Sequence, residues 1–281
     1  MSRRMLINYL LIVLIVIFTW IGIKYPITKD QMIDREAITH LKPQNIDHIK
    51  IETADNNIEL SRQGQSWHID RPIQWFANNV AAERLASMAA LHPQSKLPRN
   101  EIDLSTLGLR IPKAVVTLNN KAIYFGNTNR IGNRRYLMVD PMVYLASDVH
   151  YPFISQGVIG LVDERLLPSQ LPLQSLAFSG FKLTQDATGW HSDNKGTAEA
   201  DKAAQLIHNW HRSAASRITA YNERSTPLQK ITATLQDGSS IEFYVLSIKP
   251  EIVIARPDLQ LSYHFPPSQY YDLLALDQPD E

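Results

Sequence analysis

The stretch from residue 6 to 23, LINYLLIVLIVIFTWIGI, carries no charge, and it constrains this chain more than any other feature. As a helix at ~1.5 Å per residue it would span about 27 Å, enough to cross a hydrocarbon core. Leu6, Leu10, Leu14, Phe18 and Trp20 supply its apolar surface. Tyr9 and Trp20 lie towards its two ends, where amphipathic rings favour the membrane interface. Arg3 and Arg4 precede it, while Lys24 and Lys29 share the far side with Asp30 and Asp34. The paired arginines place the short N-terminal tail in the cytoplasm and the rest of the chain outside it. A cleaved signal peptide would have a shorter apolar run and a small-x-small site after it. Here the run ends in Trp20-Ile21-Gly22-Ile23-Lys24-Tyr25-Pro26, so an uncleaved single span in the bacterial inner membrane, with a periplasmic ectodomain, is expected.

Charge narrows the partners. Lys+Arg and Asp+Glu are both 28, so the chain lacks the basic surplus that phosphate neutralisation along a nucleic acid requires. With no cysteine, disulfides, thiolate metal sites and a cysteine nucleophile are excluded together.

Past residue 24 a polar stalk extends to about residue 45, with a short helix from Thr28 that Pro43 would end. Alternation then takes over. Ile49 and Ile51, Ile58 and Leu60, and Trp67 and Ile69 predict a three-stranded meander around Asp55-Asn56-Asn57 and Gln63-Gly64-Gln65. Asn78 or Asn79 caps a predicted helix over 79–91, with Ala81, Leu85 and Met88 inward and Pro93 as its stop. Strands follow at 114–118, 122–125, 136–139 and 142–146.

The second half repeats this order. Phe181, Leu183 and Trp190 match Ile58, Leu60 and Trp67 at an offset of 123. A helix over 198–214, capped by Thr197, carries Ala203, Ile207, Trp210 and Ala214 inward. Asp237-Gly238 marks a hairpin. Ile241 and Phe243 match Ile123 and Phe125 at 118, and Pro257, Leu259 and Leu261 match Pro141, Val143 and Leu145 at 116. The expected fold class is α+β: an N-terminal transmembrane helix followed by two related units, each an antiparallel sheet with a helix on one face. The segments are 1–24 for tail and anchor, 25–45 for the stalk, 46–157 for the first unit, 158–173 for a connector and 174–281 for the second unit.

One set of motifs carries a resemblance. Ile49-Lys50-Ile51, Trp67-His68-Ile69-Asp70-Arg71-Pro72, the Leu107-Gly108-Leu109 turn after Asp103, Pro112, Phe125-Gly126, Tyr136 and Val143 resemble a bacterial family of membrane-anchored envelope proteins carrying a domain of unknown function. Its members often lie beside genes for gliding-type ABC transporters. The resemblance covers roughly residues 46–190 and implies an accessory role in transport or envelope assembly. It supplies no active-site residue.

The chemistry in the sequence is sparse. Gly-x-Ser-x-Gly, His-Glu-x-x-His, Walker and Gly-x-Gly-x-x-Gly motifs are all absent. His208 and His211 could share a helix face, with His191 as a third candidate ligand, but without a spaced carboxylate they read as a boundary and an exposed histidine. Asp163-Glu164-Arg165 reads as a solvated connector, since adjacent acids do not face each other across a cleft. Trp67, Trp190 and Trp210 read as core. No metal or cofactor is expected.

The segment Gly126-Asn127-Thr128-Asn129-Arg130-Ile131-Gly132-Asn133-Arg134-Arg135 stands apart. It holds three arginines and no acid, where the second half has apolar strand residues. Arg130, Arg134, Arg135, Asn127 and Asn133 are the candidate contacts for an anionic partner. The expected function is non-enzymatic: a periplasmic scaffold or accessory subunit of an envelope or ABC-transport-related complex, with a protein partner and no nucleic acid. A bitopic lipid or lipopolysaccharide bridge and an anchored envelope hydrolase are the alternatives. A continuous apolar groove would favour the first, and a perturbed carboxylate–histidine pair in a cleft the second.

Overall fold

The computed structural model of the chain describes residues 36–130, 132–193 and 199–276. The expected span at 6–23, the cap Thr197 and the loop residue Ile131 lie outside the described residues. Among the described residues, no helix is long and apolar enough to cross a membrane. Ala37–Glu281 is a single compact unit.

Antiparallel sheet dominates it. The strands of the first half are β1 (His48–Thr53), β2 (Asn57–Gln63), β3 (Ser66–Arg71), β4 (Trp75–Phe76), β5 (Ser95–Pro98), β6 (Ala114–Leu118), β7 (Lys121–Asn129), β8 (Arg134–Val139) and β9 (Met142–Ser147). They form one sheet in the order β4-β3-β2-β1-β6-β7-β8-β9-β5. The second sheet comprises β10 (Leu173–Ala177), β11 (Lys182–Asp186), β12 (Gly189–Ser192), β13 (Arg217–Ala220), β14 (Gln229–Leu235), β15 (Ser240–Ser247), β16 (Ile252–Arg256) and β17 (Leu261–Phe265). Its order is β12-β11-β10-β14-β15-β16-β17-β13. Strand for strand this repeats the first sheet, with β4 as the one addition.

The α+β expectation is therefore corrected. Among the described residues, α-helix is confined to α1 (Asn79–Ala86), α2 (Tyr151–Ser155), α3 (Glu199–Arg212) and α4 (Tyr270–Leu273). The helix expected over 79–91 stops being α-helical at Ser87 and closes with a 3-10 turn, Ser87–Ala90. Sheet gains at the expense of helix because β4, β5 and β13 are short edge strands. They lack the alternation that marks a half-buried strand in sequence.

Local causes are plain where the alternation is strong. Ile49 and Ile51 point inward from β1, Ile58 and Leu60 from β2, and Val116 and Leu118 from β6. Asn119 adopts a positive φ of 52° in the β6–β7 turn. Its Oδ1 accepts from the backbone N–H groups of Asp47 and His48, tying that turn to the start of β1. Asn78 caps α1 by accepting from the Ala81 N–H at 3.1 Å. Trp67 and Trp210 are fully buried. Trp67 donates its indole N–H to Glu83, and Trp210 donates to the Leu273 carbonyl.

The two sheets share one hydrophobic core running from Ile38 to Leu274. The connector is part of it rather than a solvated link. Leu161, Val162, Leu166 and Leu167 are buried. Asn78 N–H donates to the Leu161 carbonyl, Asp163 N–H to Phe76, and Ala215 N–H to Glu164, so the connector is bonded to both halves. Asp163 is 5% exposed and holds Arg165 through both carboxylate oxygens. Arg256, fully buried, lies over the Trp75 ring at 4.0 Å and is gripped by Asp258. This guanidinium is a clip between the halves, since Trp75 belongs to the first sheet and Arg256 to the second. Part of the expected stalk also lies on this body: Ile38 is buried, and Thr39 donates to the Ala89 carbonyl.

Candidate functional site

Five of the first-half motif elements, Asp103, Leu107-Gly108-Leu109, Phe125-Gly126, Tyr136 and Val143, meet at one place. Residues 103–109 form a strap held by Asp103, whose carboxylate accepts from Ser105 N–H and whose carbonyl accepts from the Thr106 hydroxyl. Leu109 N–H closes the strap on the Leu104 carbonyl. The strap then crosses β7 at Gly126. Asn127 N–H donates to the Leu107 carbonyl at 2.7 Å. A Cβ on Gly126 would collide with that same carbonyl oxygen, so the crossing requires glycine there. Gly108, at φ +67°, faces the Asn127 side chain from the strap. Leu-Gly-Leu and Phe-Gly are thus two sides of one close approach. Leu109, Met138 and Val143 form a small second core beneath the strap, with Tyr124 and Tyr136 packed on it.

Beside the crossing lies a recess of about 590 Å³, lined by Thr106, Lys113, Asn127, Thr128, Asn129, Arg130 and Tyr136. It has two cations and no carboxylate. The Tyr136 hydroxyl accepts from the Asn129 amide at 3.1 Å, which leaves its own proton to donate. The Asp148 carboxylate at the far end of the hairpin is held by Arg135. Two cations and a free hydroxyl proton make a lining that suits an anion by charge and donor geometry.

The sequence candidates separate here. Asn127 and Arg130 line the recess. Arg135 does not: it is 4% exposed, forks onto Asp148, donates to the Gly126 carbonyl at 2.6 Å and lies 3.7 Å from the Tyr151 ring centroid. It is a structural element of the hairpin. Arg134 is half-buried beside Gly132. Asn133 turns the hairpin at φ 45°, and its carbonyl accepts from Asp148 N–H. Sequence reading missed Lys113 and Tyr136 as site residues. The hydrogen bond from Lys113 N–H to the Phe125 carbonyl, a contact distant in sequence, helps bring the strap's exit to the hairpin.

A second cleft, of about 330 Å³, opens where the halves meet. Val80 and Arg84 of α1, Phe153 of α2, Glu164 of the connector and Arg217 and Ile218 of β13 line it. Arg84 lies over the Phe153 ring at 4.7 Å. Next to this cleft runs a ladder on the sheet surface. The Thr219 hydroxyl is 2.9 Å from Nε2 of His264, and Nδ1 of His264 is 3.1 Å from Glu251. Glu251 also accepts from Arg217 at 2.8 Å. His264 and then Arg217 hold the Glu251 carboxyl below the usual range, although it is exposed.

The histidine cluster does not assemble. His211 Nδ1 lies 2.9 Å from the Leu167 carbonyl and donates to it, and His208 is exposed. His191 is engaged with Asp186 and Thr188 on the surface. Among the described residues, no three His, Cys, Asp or Glu side chains converge as a metal site would need.

The family model described as domain of unknown function (DUF4340) matches residues 67–237, more than half of the chain. The chain belongs to this family. The match begins within β3 and ends in the β14–β15 turn, so it includes parts of both sheets. No curated protein matches the chain, and no solved structure does.

Proposed function

We propose that this DUF4340 chain is a non-catalytic accessory subunit of an envelope complex related to ABC transport. The uncharged run at 6–23 tethers it in the bacterial inner membrane, and the body Ala37–Glu281 stands in the periplasm. The observation that carries this reading is the order of Arg3-Arg4, the apolar run and a compact body immediately after it. The recess beside Arg130 is the contact this subunit offers to an anionic group.

Alkaline phosphatase fused after residue 45 is expected to be active, and fused after residue 4 inactive. The reverse pattern would overturn the topology, and a mature N-terminus beyond residue 20 would overturn the tether. Co-purification of an ABC permease from detergent-solubilised membranes is expected, and its absence would overturn the accessory role.

A hydrolytic reading has one observation in its favour, the Thr219–His264–Glu251 ladder. Arg217 lies 3.0 Å from the same Nδ1 of His264 and also donates to Glu251, so the carboxylate is shared and not dedicated to the imidazole as an orienting partner would be. Esterase activity lost in His264→Ala would support that reading over the first.

A further inference from the structure

We infer that the recess between Lys113 and Arg130 seats the phosphodiester headgroup of an anionic phospholipid at a membrane surface. Three features meet there. Neither Lys113 nor Arg130 has an ion-pair partner among the described residues, and no carboxylate lines the recess to compete for them. Tyr136 adds a hydroxyl donor whose oxygen is already satisfied by Asn129. Two cations and a hydroxyl donor suit the non-bridging oxygens of a phosphodiester.

Ile111 decides between a lipid and a free phosphate. It is 85% exposed, the most exposed of the large apolar side chains described, and it stands two residues from Lys113 with Pro112 between them. Arg110, beside it, is exposed as well. An isolated apolar side chain flanked by cations is the pattern of a surface that lowers one residue into the acyl boundary while its basic neighbours meet the headgroups. A soluble phosphate ester would leave Ile111 in water. The second half has no counterpart. Where β7 carries Gly126 and the polar residues after it, β15 continues as Tyr244, Val245 and Leu246.

This inference deepens the envelope reading, but it can be tested without the tether. Ala37–Glu281 is a compact unit with its own core, so a fragment of those residues is the protein to use. It should co-sediment with phosphatidylcholine vesicles containing phosphatidylglycerol and not with phosphatidylcholine alone. Lys113→Gln with Arg130→Gln should weaken that binding roughly thirty-fold, the effect expected of two basic contacts at an anionic surface. Ile111→Ser should weaken it several-fold at an unchanged thermal midpoint. Equal sedimentation on both vesicle types, full binding by the double variant, or no sedimentation of the wild type would each overturn the proposal. Displacement by millimolar glycerol phosphate, with Ile111→Ser behaving as wild type, would also overturn it and make the ligand a soluble phosphate ester. A failure here leaves the fusion test of topology untouched.

Discussion

Replacing Arg135 with Gln separates the structural arginine of the hairpin from its exposed neighbours. The Arg135 side chain is 5% exposed and its partner Asp148 is 9% exposed. Its guanidinium makes two contacts of 2.8 Å with that carboxylate and one of 2.6 Å with the Gly126 carbonyl. Glutamine is too short to keep both partners, so Asp148 would be left charged and nearly dry. Breaking a buried pair from one side costs about 3–5 kcal/mol, mostly as the desolvation of the orphaned charge. For a unit of this size that is a fall of roughly 6–20 °C in thermal midpoint. Arg130→Gln should cost less than about 0.5 kcal/mol, because that side chain is exposed. Urea unfolding of the Ala37–Glu281 fragment, followed by tryptophan fluorescence, measures both. Arg135→Met with Asp148→Leu should recover much of the loss, since removing both charges leaves no orphan. If Arg135→Gln melts with Arg130→Gln, the buried-pair account is wrong.

Three further outcomes follow from other contacts. Gly126→Ala should cost about 1–3 kcal/mol in urea unfolding, because its Cβ meets the backbone oxygen of Leu107 rather than a side chain that can swing away. It should also expose the 103–109 strap to limited proteolysis. Burial, and next to it the Arg84 charge, push the His150 imidazole below its ordinary value. A histidine depressed in the folded state contributes stability that is complete above about pH 6.5 and lost as pH falls below it. The difference in unfolding free energy between pH 7.5 and 5.5 should therefore shrink in His150→Gln. Trp210→Phe removes the indole N–H that bonds the Leu273 carbonyl, and should cost about 1–3 kcal/mol while loosening α4, read as faster C-terminal proteolysis.

Much of the sheet was legible because alternation reports which face is buried. The meander of β1, β2 and β3 and the pairs β6–β7 and β8–β9 were all signalled by it. Trp67 and Trp190 also fall in equivalent strands, β3 and β12. The helices α1 and α3 were legible in position, whereas the short α2 and α4 were not signalled, and the shared core is enclosed mainly by sheet. Offset matching failed at the last turn for a simple reason. Val139 and Met142 pair across two residues, whereas Arg256 and Leu261 pair across four. Leu259 therefore sits in the 3-10 turn Pro257–Leu259, while its matched residue Val143 lies in β9. The candidate site was half legible. Three arginines without an acid nearby in sequence looked equivalent, but Asp148 reaches Arg135 only through the β8–β9 pairing, which sets Arg135 against Ala146. A long-range partner of this kind leaves no local signal.

The two copies also differ in how they treat one and the same sheet edge. In the second sheet the edge strand β13 abuts the 3-10 turn Gly157–Gly160 of the first half, and Ile218 is 9% exposed there. That contact is head-to-tail, because the first half gives its C-terminal end and the second its edge strand. Repeated between molecules, a head-to-tail contact of this kind builds rings or open filaments and not closed isologous pairs. The corresponding edge of the first sheet is β5, and it is built differently. Lys96 pairs with Tyr144 of β9 at the place where Ile218 pairs with Tyr263 of β17. Pro98 ends the strand and has no N–H to offer. A charge and a proline on an edge are the usual means of keeping it from recruiting another chain. The sequence difference between Lys96 and Ile218 thus has a physical account that requires no ligand. The same edge position is sealed against the other half in one copy, and blunted for exposure to water in the other.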